Sequence, residues 1–314
     1  MQMSLWLVGA GSMAQEYAKV LNGLGQEFEV IGRNAASAKQ FELATGHSVR
    51  QGGVGNALAA SDAPAQAIVA VSVEQLANVA INLIEAGTRR VLLEKPGALN
   101  VAEMRALQQT AAKHEAEVMI AYNRRFYAST NLARKLIAED GGATSCTFEF
   151  TEWSHTVVPM ALAPGVKEAW FLSNSSHVAD LAFHLCGFPS DWRAWHGGSL
   201  SWHPAASRFC GSGITDQGVF FSYHADWEAP GRWGVEVLTR KRRLVFRPME
   251  QLHVIHLGST KMVSMELDDQ LDKKFKPGVC EQVKAFQGRD SSLFCTVDEQ
   301  LRHCAIYNEM AGYY

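Results

Sequence analysis

Three groups of residues in this sequence have side-chain types and spacings that could serve ligand binding or catalysis. Near the start, Gly9-Ala10-Gly11-Ser12-Met13-Ala14 has the form G-x-G-x-x-A and stands between an apolar run and a helix-like segment. In the middle of the first half, Glu94-Lys95-Pro96 follows another short apolar run. Farther along, Asp180 and His184 are four residues apart. Glycines at a helix start can bind phosphates, and lysine, carboxylate and imidazole groups can hold or transfer protons.

The glycine motif predicts a phosphate-binding turn. Gly9 permits a tight turn, Gly11 lets the backbone approach a pyrophosphate, and the small Ala14 lets strand and helix pack closely. The helix start, with Ser12 and Met13, offers N–H groups and a partial positive charge. We therefore predict that this turn binds a nicotinamide dinucleotide; the alternative is a glycine-rich connection without a ligand.

The end of the second predicted strand bears on which dinucleotide is bound. The strand, residues 28–32, leads into Arg33 and Asn34, and no carboxylate stands there to hold a ribose 2′-hydroxyl. Gly32 leaves space, and Arg33 offers a cation to a 2′-phosphate. We predict that Arg33 and Asn34 contact the cofactor and that NADP is preferred over NAD; the alternative for Arg33 is an exposed loop arginine.

Two further predicted strands end in polar residues. Val71 and Ser72 end the strand over residues 67–71, and Glu94 and Lys95 follow the strand over residues 91–93. Ligands of open α/β sheets bind beyond the carboxyl ends of the strands, so we predict that these four residues contact the cofactor. Lys95 could also hold a substrate hydroxyl or transfer a proton, and its bond to Pro96 could be cis.

One predicted helix, residues 175–185, carries polar groups on an otherwise apolar segment. Asp180 and His184 share a face because residues four apart are neighbours on a helix, and His177, three residues before Asp180, joins that face. Such a face is either a solvated stripe or the wall of an active site.

The spacing of apolar residues predicts two domains. Through residue 122, short apolar strands alternate with amphipathic helices, which indicates a parallel sheet covered on both faces. After residue 142, longer alternating runs at 147–153, 219–227, 233–239 and 244–247 indicate antiparallel strands. We predict an α/β protein: a doubly wound Rossmann domain over residues 1–122, then an α+β domain over residues 123–314 with a mostly antiparallel open sheet. The last helices, near 279–287 and 297–311, could pack back on the first domain.

Composition excludes several classes of protein. The 314 residues include 29 basic and 32 acidic ones, a balance that argues against nucleic-acid binding. The basic run at residues 240–243 is interpreted as a solvated hairpin turn. Six scattered cysteines without a C-x-x-C pair indicate reduced thiols in a cytoplasm. No apolar run is long enough for a membrane span, the start lacks a basic leader, and no H-x-x-x-H or H-E-x-x-H pattern predicts a metal.

The motifs together resemble a known family. The glycine motif, Glu94-Lys95-Pro96, Asn123-Arg124-Arg125-Phe126 and Asp180-x-x-x-His184, followed by the closing segment at residues 280–286, are similar in order to the Gfo/Idh/MocA oxidoreductases, the glucose–fructose oxidoreductase and inositol dehydrogenase family. This chain departs from the family pattern in the polar residues 173–177, in Ala182 and in the segment 71–75, which lacks a usual proline and histidine.

The resemblance implies an enzyme that oxidises a hydroxyl of a sugar, nucleotide sugar or polyol, or catalyses the reverse reduction. It implies that Lys95, Asp180 and His184 are catalytic, and that the second domain's sheet joins the chains into a homodimer or homotetramer. His184 would exchange the hydroxyl proton, Lys95 would hydrogen-bond the oxygen, and Asp180 would orient the substrate or the imidazole.

Five further residues are candidates for contact with the substrate, although core, rim or ion-pair roles are open for each. They are Arg124, Arg125, Trp153, Trp170 and His177. Two other functions stay open as well. One is a catalytically silent regulator that senses a nicotinamide dinucleotide, and the other is a glycoside hydrolase that uses NAD transiently.

Overall fold

A computed structural model describes residues 4–313 of the chain. Residues 1–3, which belong to the start where we predict no leader segment, lie outside the described residues. The chain divides into two compact units: the first runs to Tyr122 and adds Lys273–His303, and the second comprises Asn123–Asp272 and the residues from Cys304 on. None of the helices described is long and apolar enough to cross a membrane.

The first unit is built on a sheet of seven strands, numbered here along the chain. They are β1 (Leu5–Val8), β2 (Glu29–Ile31), β3 (Val49–Arg50), β4 (Gln66–Val69), β5 (Arg90–Leu93), β6 (Glu117–Ile120) and β15 (Cys295–Thr296). Their order is β15-β6-β5-β4-β1-β2-β3, and all pairs are parallel except β15 with β6. Every residue of β1, β4 and β5 is buried, as a parallel sheet covered on both faces requires. The predicted Rossmann architecture is confirmed.

Helices connect these strands. They are α1 (Ser12–Gly23), α2 (Ala35–Thr45), α3 (Gly53–Ala60), α4 (Leu76–Glu85), α5 (Val101–Lys113) and, late in the chain, α10 (Val279–Gly288). In α1, Ala14, Tyr17, Ala18 and Leu21 are buried, three or four residues apart, so one stripe of the helix packs inward. The sequence did not predict α3 or β3, because α3 opens on glycine and β3 is only two residues long.

The second unit contains a sheet of eight strands. They are β7 (Ser145–Glu149), β8 (Pro189–Gly197), β9 (Arg208–Thr215), β10 (Phe220–Asp226), β11 (Gly234–Leu238), β12 (Arg242–Phe246), β13 (His253–His256) and β14 (Met262–Ser264). Their order is β14-β13-β12-β11-β7-β10-β9-β8, and only β7 with β10 is parallel. The predicted open, mostly antiparallel sheet is therefore confirmed.

Helix α8 covers part of this sheet. The unit also contains α6 (Ala128–Glu139), α7 (Ser154–Val157) and α8 (Ser176–Cys186). Two more helices each begin in one unit and end in the other: α9 (Gln270–Lys274) and α11 (Val297–Ala311). Ala179, Ala182 and Phe183 of α8 belong to a core that also contains Phe148 of β7 and Val235 of β11, so the helix lies against the middle strands.

Two sequence predictions about this unit differ in detail from the structure. The strand predicted over residues 147–153 ends at Glu149, and the carbonyl of Phe150 accepts a hydrogen bond from the indole of Trp227 instead. The basic run does lie at the hairpin between β11 and β12, as interpreted, but β12 already begins at Arg242, whose side chain pairs with Asp140 at 3.3 Å.

Strand β9 was also missed, as was its partner β8. Its glycines dilute the apolar pattern, but they make room for aromatic rings of the neighbouring strand. A Cβ on Gly211 would lie 2.5 Å from the ring of Tyr223, and one on Gly213 would lie 2.8 Å from that of Phe221.

Candidate functional site

A cavity of about 490 Å³ lies in the first unit beside the ends of β1, β2 and β4. It brings together eight of the residues predicted to bind the cofactor. These are Gly9, Gly11, Ser12, Met13, Arg33, Asn34, Val71 and Ser72. They come from three separate connections of the sheet, so the parallel topology is what gathers them at one edge.

The two glycines of the motif have different roles. Gly9 has φ of +123°, and a Cβ there would lie 2.2 Å from the carbonyl oxygen of Ala70, so the fold itself requires glycine. Gly11 has an ordinary φ of −86°, and a Cβ there would meet no atom of residues 4–313 within 4 Å apart from its chain neighbours. Nothing in the packing requires glycine at this position. The open space suits a ligand that must come close to the backbone.

The N-terminal end of α1 can accommodate a negatively charged group. Gly11 precedes the helix and has no side chain to cap it, and the first turn contains no acidic residue. The first N–H groups of the helix therefore lack side-chain acceptors, and the positive end of the helix dipole is uncompensated. Together with the space beside Gly11, this end of α1 fits a pyrophosphate group.

The turn after β2 presents Arg33 at the cavity. Arg33 is exposed. The side chain of Asn34 caps α2: its Oδ1 accepts hydrogen bonds from the backbone N–H and the hydroxyl of Ser37, each at 2.9 Å. Gly32 has a packing role, because a Cβ there would lie 2.6 Å from the side chain of Val49. This packing explains the glycine without a 2′-phosphate beside it, so a preference for NADP over NAD depends on Arg33.

Three of the predicted cofactor residues do not line this cavity. Ala14 is fully buried in α1. Glu94 accepts a hydrogen bond at 2.7 Å from the hydroxyl of Tyr17, a residue that sequence reasoning had not singled out. Burial raises the pKa of the Glu94 carboxyl, while the Tyr17 hydrogen bond and the charge of Lys95 oppose that shift. Lys95 is half-buried, and the bond between it and Pro96 is cis.

In the second unit, Asp180 is held by an arginine. Asp180 is fully buried on α8, and Nε of Arg125 donates to its Oδ2 at 2.9 Å and to its Oδ1 at 3.2 Å. Arg125, proposed from the sequence as a substrate contact, is thus engaged within its own unit. His184 is half-buried one turn after Asp180, and His177 is buried with its ring centroid 6.1 Å from that of Trp233.

We expect Asp180→Asn to lower the free energy of unfolding by about 3–5 kcal/mol, because it removes the countercharge of a buried guanidinium. Urea denaturation followed by circular dichroism measures the change. Asp191→Asn is the matched control: Asp191 also pairs with an arginine, Arg193 at 3.3 Å, but both side chains are exposed. The control should change stability by less than about 1 kcal/mol, and equal effects of the two substitutions would contradict the assignment.

The remaining substrate candidates lie in different surroundings. Trp170 is buried in the core and packs edge-on against Trp202 at 6.0 Å. Trp153 is 44% exposed. Arg124 lies over the ring of Trp233 at 4.8 Å, and burial lowers the pKa of its guanidinium.

Arg232 and the buried Glu152 stand beside these aromatic residues. The guanidinium of Arg232 lies over the rings of both Trp153 and Trp233, at 4.7 and 4.9 Å. Sequence reasoning did not single out Glu152, Arg232 or Trp233, because no motif marks them.

Comparison with known proteins places the chain among oxidoreductases. Residues 3–122 match the family GFO_IDH_MocA, described as an oxidoreductase family with an NAD-binding Rossmann fold. No curated protein sequence matches the chain significantly.

Several solved structures share the fold over nearly the full length of both chains. UDP-N-acetylglucosamine 3-dehydrogenase GnnA from Acidithiobacillus ferrooxidans is 17% identical, with a TM-score of 0.77 over 100% of this chain and 98% of that one. Levoglucosan dehydrogenase, solved with NADH and L-sorbose, is 16% identical, with a TM-score of 0.81 over 100% and 97%. An oxidoreductase from Thermotoga maritima is 16% identical, with a TM-score of 0.78 over 100% and 98%.

At these identities the structural likeness shows the fold, and the family match in the first unit adds the class of protein. Residues 3–122, the stretch that the family model matches, resemble the NAD-binding Rossmann domain of these oxidoreductases.

Proposed function

We propose that this protein transfers a hydride between NADP(H) and a hydroxyl or keto carbon of a sugar, nucleotide sugar or polyol. The observation that carries the proposal is Gly11, a glycine that no packing contact requires, at the uncapped start of α1. Two proteins with the same fold are named as sugar dehydrogenases, UDP-N-acetylglucosamine 3-dehydrogenase and levoglucosan dehydrogenase, which supports the substrate class.

The first unit, predicted as a domain over residues 1–122, is proposed to bind the dinucleotide. A bound nicotinamide would accept or supply the hydride. The backbone at Gly9 and Gly11 and the N–H groups at Ser12 and Met13 would hold the pyrophosphate. The ends of β4 and β5, with Val71, Ser72, Glu94 and Lys95, would contact the rest of the dinucleotide. Ala14 would act indirectly, since its small side chain lets α1 pack against the sheet.

The second unit, predicted as a domain over residues 123–314, is proposed to bind the substrate and to provide His184. This imidazole would exchange the proton of the reacting hydroxyl, since histidine titrates near neutral pH. Lys95 would donate a hydrogen bond to the same oxygen and stabilise developing negative charge. Because Asp180 is paired with Arg125, we propose that it acts by positioning α8 and its imidazole.

Preference for NADP is proposed to depend on Arg33. We expect Arg33→Asp to lower the ratio of NADP affinity to NAD affinity about tenfold or more, because a charge-assisted hydrogen bond to a phosphate contributes roughly 1.5–3 kcal/mol. Calorimetric titration with each dinucleotide measures the ratio. Arg105→Asp, an equivalent change at an exposed position of α5, should leave it unchanged. If Arg33→Asp leaves the ratio of NADP affinity to NAD affinity unaltered, Arg33 does not determine the preference for NADP.

Assembly into a homodimer or homotetramer through the sheet of the second unit is also proposed. Large apolar side chains are exposed on this sheet, including Trp195 on β8 (57%) and Phe220 on β10 (65%). Exposed rings on one sheet are typical of a surface that another chain covers. Light scattering of the protein in solution tests the proposal.

A further inference from the structure

A buried hydrogen bond joins helix α1 to the end of strand β5 in the first unit. Tyr17 of α1 is fully buried, and its hydroxyl donates to Oε1 of Glu94 at 2.7 Å. Oε1 of Gln282, on α10, lies 3.2 Å from the same hydroxyl. A tyrosine hydroxyl has a single hydrogen to donate, and an ionised carboxylate at the shorter distance is the stronger acceptor. Tyr17 therefore fixes the side chain of Glu94.

Opposing influences set the charge of Glu94. Burial raises the pKa of its carboxyl, which favours the neutral acid. The hydrogen bond from Tyr17 opposes that shift most strongly, followed by the charges of Lys95 and Lys276 and by the backbone N–H of Lys95. The Tyr17 hydroxyl keeps its own proton, because burial and the neighbouring carboxylate both raise the pKa of Tyr17. Tyr17 is thus a permanent donor that stabilises the ionised form of Glu94.

Glu94 in turn acts on Lys95. The two residues adjoin directly after β5, and the Lys95 side chain is half-buried there. Partial burial disfavours an ammonium group, whereas a nearby carboxylate favours it. An ammonium group donates a stronger hydrogen bond than a neutral amine to an oxygen that gains negative charge. An ionised Glu94 therefore supports the role proposed for Lys95.

The residue types at positions 17 and 94 are not explained by packing alone. A phenylalanine at position 17 would fill the space of the tyrosine ring, and an apolar residue at position 94 would avoid the cost of burying a carboxylate. Buried charges add little net stability compared with apolar residues of the same size. The charge of Glu94 therefore points to a role in the site.

We propose that Tyr17 and Glu94 are positioning residues for Lys95. The Tyr17 hydroxyl holds the Glu94 carboxylate in its ionised form, and that carboxylate keeps the Lys95 side chain charged and directed at the reacting oxygen. Neither residue touches the substrate in this scheme. The inference rests on the proposed function, which assigns Lys95 its hydrogen bond, and deepens it by adding a residue of α1 that lies outside the glycine motif.

The first test measures Lys95 directly, without turnover. The full chain is treated with acetic anhydride over a range of pH, and mass spectrometry gives the pH of half-maximal acetylation rate at Lys95. Glu94→Gln keeps an oxygen that accepts from Tyr17 but removes the charge, and we expect it to lower this pH by about one unit or more. The exposed Lys39 and Lys113 of the same sample are internal references and should not shift.

The second test follows kcat/KM for reduction of a keto sugar by NADPH across pH. In this direction His184 must be protonated, so its titration limits the rate only on the alkaline side. Tyr17→Phe keeps the ring but removes the donor, which raises the pKa of Glu94 above its parent value. The carboxylate is then lost at a higher pH on acidification, and we expect the acidic limb to move up by about one pH unit.

Two matched controls separate these effects from the loss of any polar group. Glu117→Gln removes an exposed carboxylate of β6 that pairs with Arg90 at 2.8 Å, and it should leave acetylation of Lys95 unchanged. Tyr223→Phe removes the hydroxyl of a buried tyrosine in the second unit, and it should keep the parent pH profile. Thermal unfolding shows whether each variant is folded.

Two outcomes would overturn the proposal: an unchanged half-maximal pH for Lys95 in Glu94→Gln, or an unchanged acidic limb in Tyr17→Phe. Each measurement decides alone, so if one variant does not fold, the other remains the test. A shift at Lys95 in a protein without redox activity rejects the proposed function alone. An unshifted Lys95 in a redox-active protein rejects the positioning role alone.

Discussion

Replacing His184 with alanine is expected to lower turnover about 10²- to 10⁴-fold, the usual contribution of a positioned general acid or base. The imidazole is half-buried on α8, one helical turn beyond the Asp180–Arg125 pair that anchors this part of the helix. Removal of the ring deletes the proposed proton acceptor but leaves that pair in place. Dinucleotide affinity should not change, because no residue of the first unit is altered.

The measurement is reduction of NADP, or oxidation of NADPH, across a panel of polyols and keto sugars. His224→Ala is the matched control, since His224 is an exposed histidine on β10, and it should keep parent turnover. Full turnover in His184→Ala would exclude the assigned proton transfer. A parent protein that binds NADP but turns over no member of the panel would instead favour a nicotinamide-sensing regulator.

Substitution of the two motif glycines by alanine should separate folding from binding. Gly9→Ala would place a methyl group against the Ala70 carbonyl and force alanine into a positive-φ conformation. We expect it to destabilise the protein by roughly 3 kcal/mol. Gly11→Ala adds a methyl group where the chain has open space at an ordinary φ, so stability should change by less than about 0.5 kcal/mol.

Cofactor affinity should show the opposite pattern for Gly11→Ala. The added methyl group would keep the pyrophosphate from the backbone, and we expect affinity for NADP to fall about tenfold to hundredfold. Thermal unfolding and calorimetric titration of the two variants measure both effects. A Gly11→Ala protein that binds NADP as tightly as the parent would show that the dinucleotide is held elsewhere.

Local sequence patterns predicted much of the first unit. Helix α2 spans Ala35–Thr45 as predicted, because Asn34 caps its start and Gly46, with a positive φ, ends it. The buried strands β1 and β5 were visible as short apolar runs. Strands that alternate with helices along the chain pair in parallel. This parallel order brings the ends of the strands together at one edge of the sheet.

The second unit was less predictable, because its strands pair over long distances. Strand β9 contains glycines whose purpose appears only beside the rings of Tyr223 and Phe221. Arg242 seemed part of a charged turn, yet it begins β12 and pairs with Asp140 of a distant segment. Such pairings depend on three-dimensional neighbours, and local propensity carries little information about them.

The sequence by itself determined that this chain has a dinucleotide-type turn and that its motifs, in order, resemble those of the Gfo/Idh/MocA oxidoreductases. Such a turn is local: strand, glycines and helix start follow one another within a few residues. Only the tertiary structure decided that Gly9 serves the fold while Gly11 does not, and that Arg125 holds Asp180. It also decided that Glu152, which no motif marks, is oriented beside Trp153. The physical reason is that packing space and buried charge pairs are set by residues far apart in the chain, which become neighbours only when it folds.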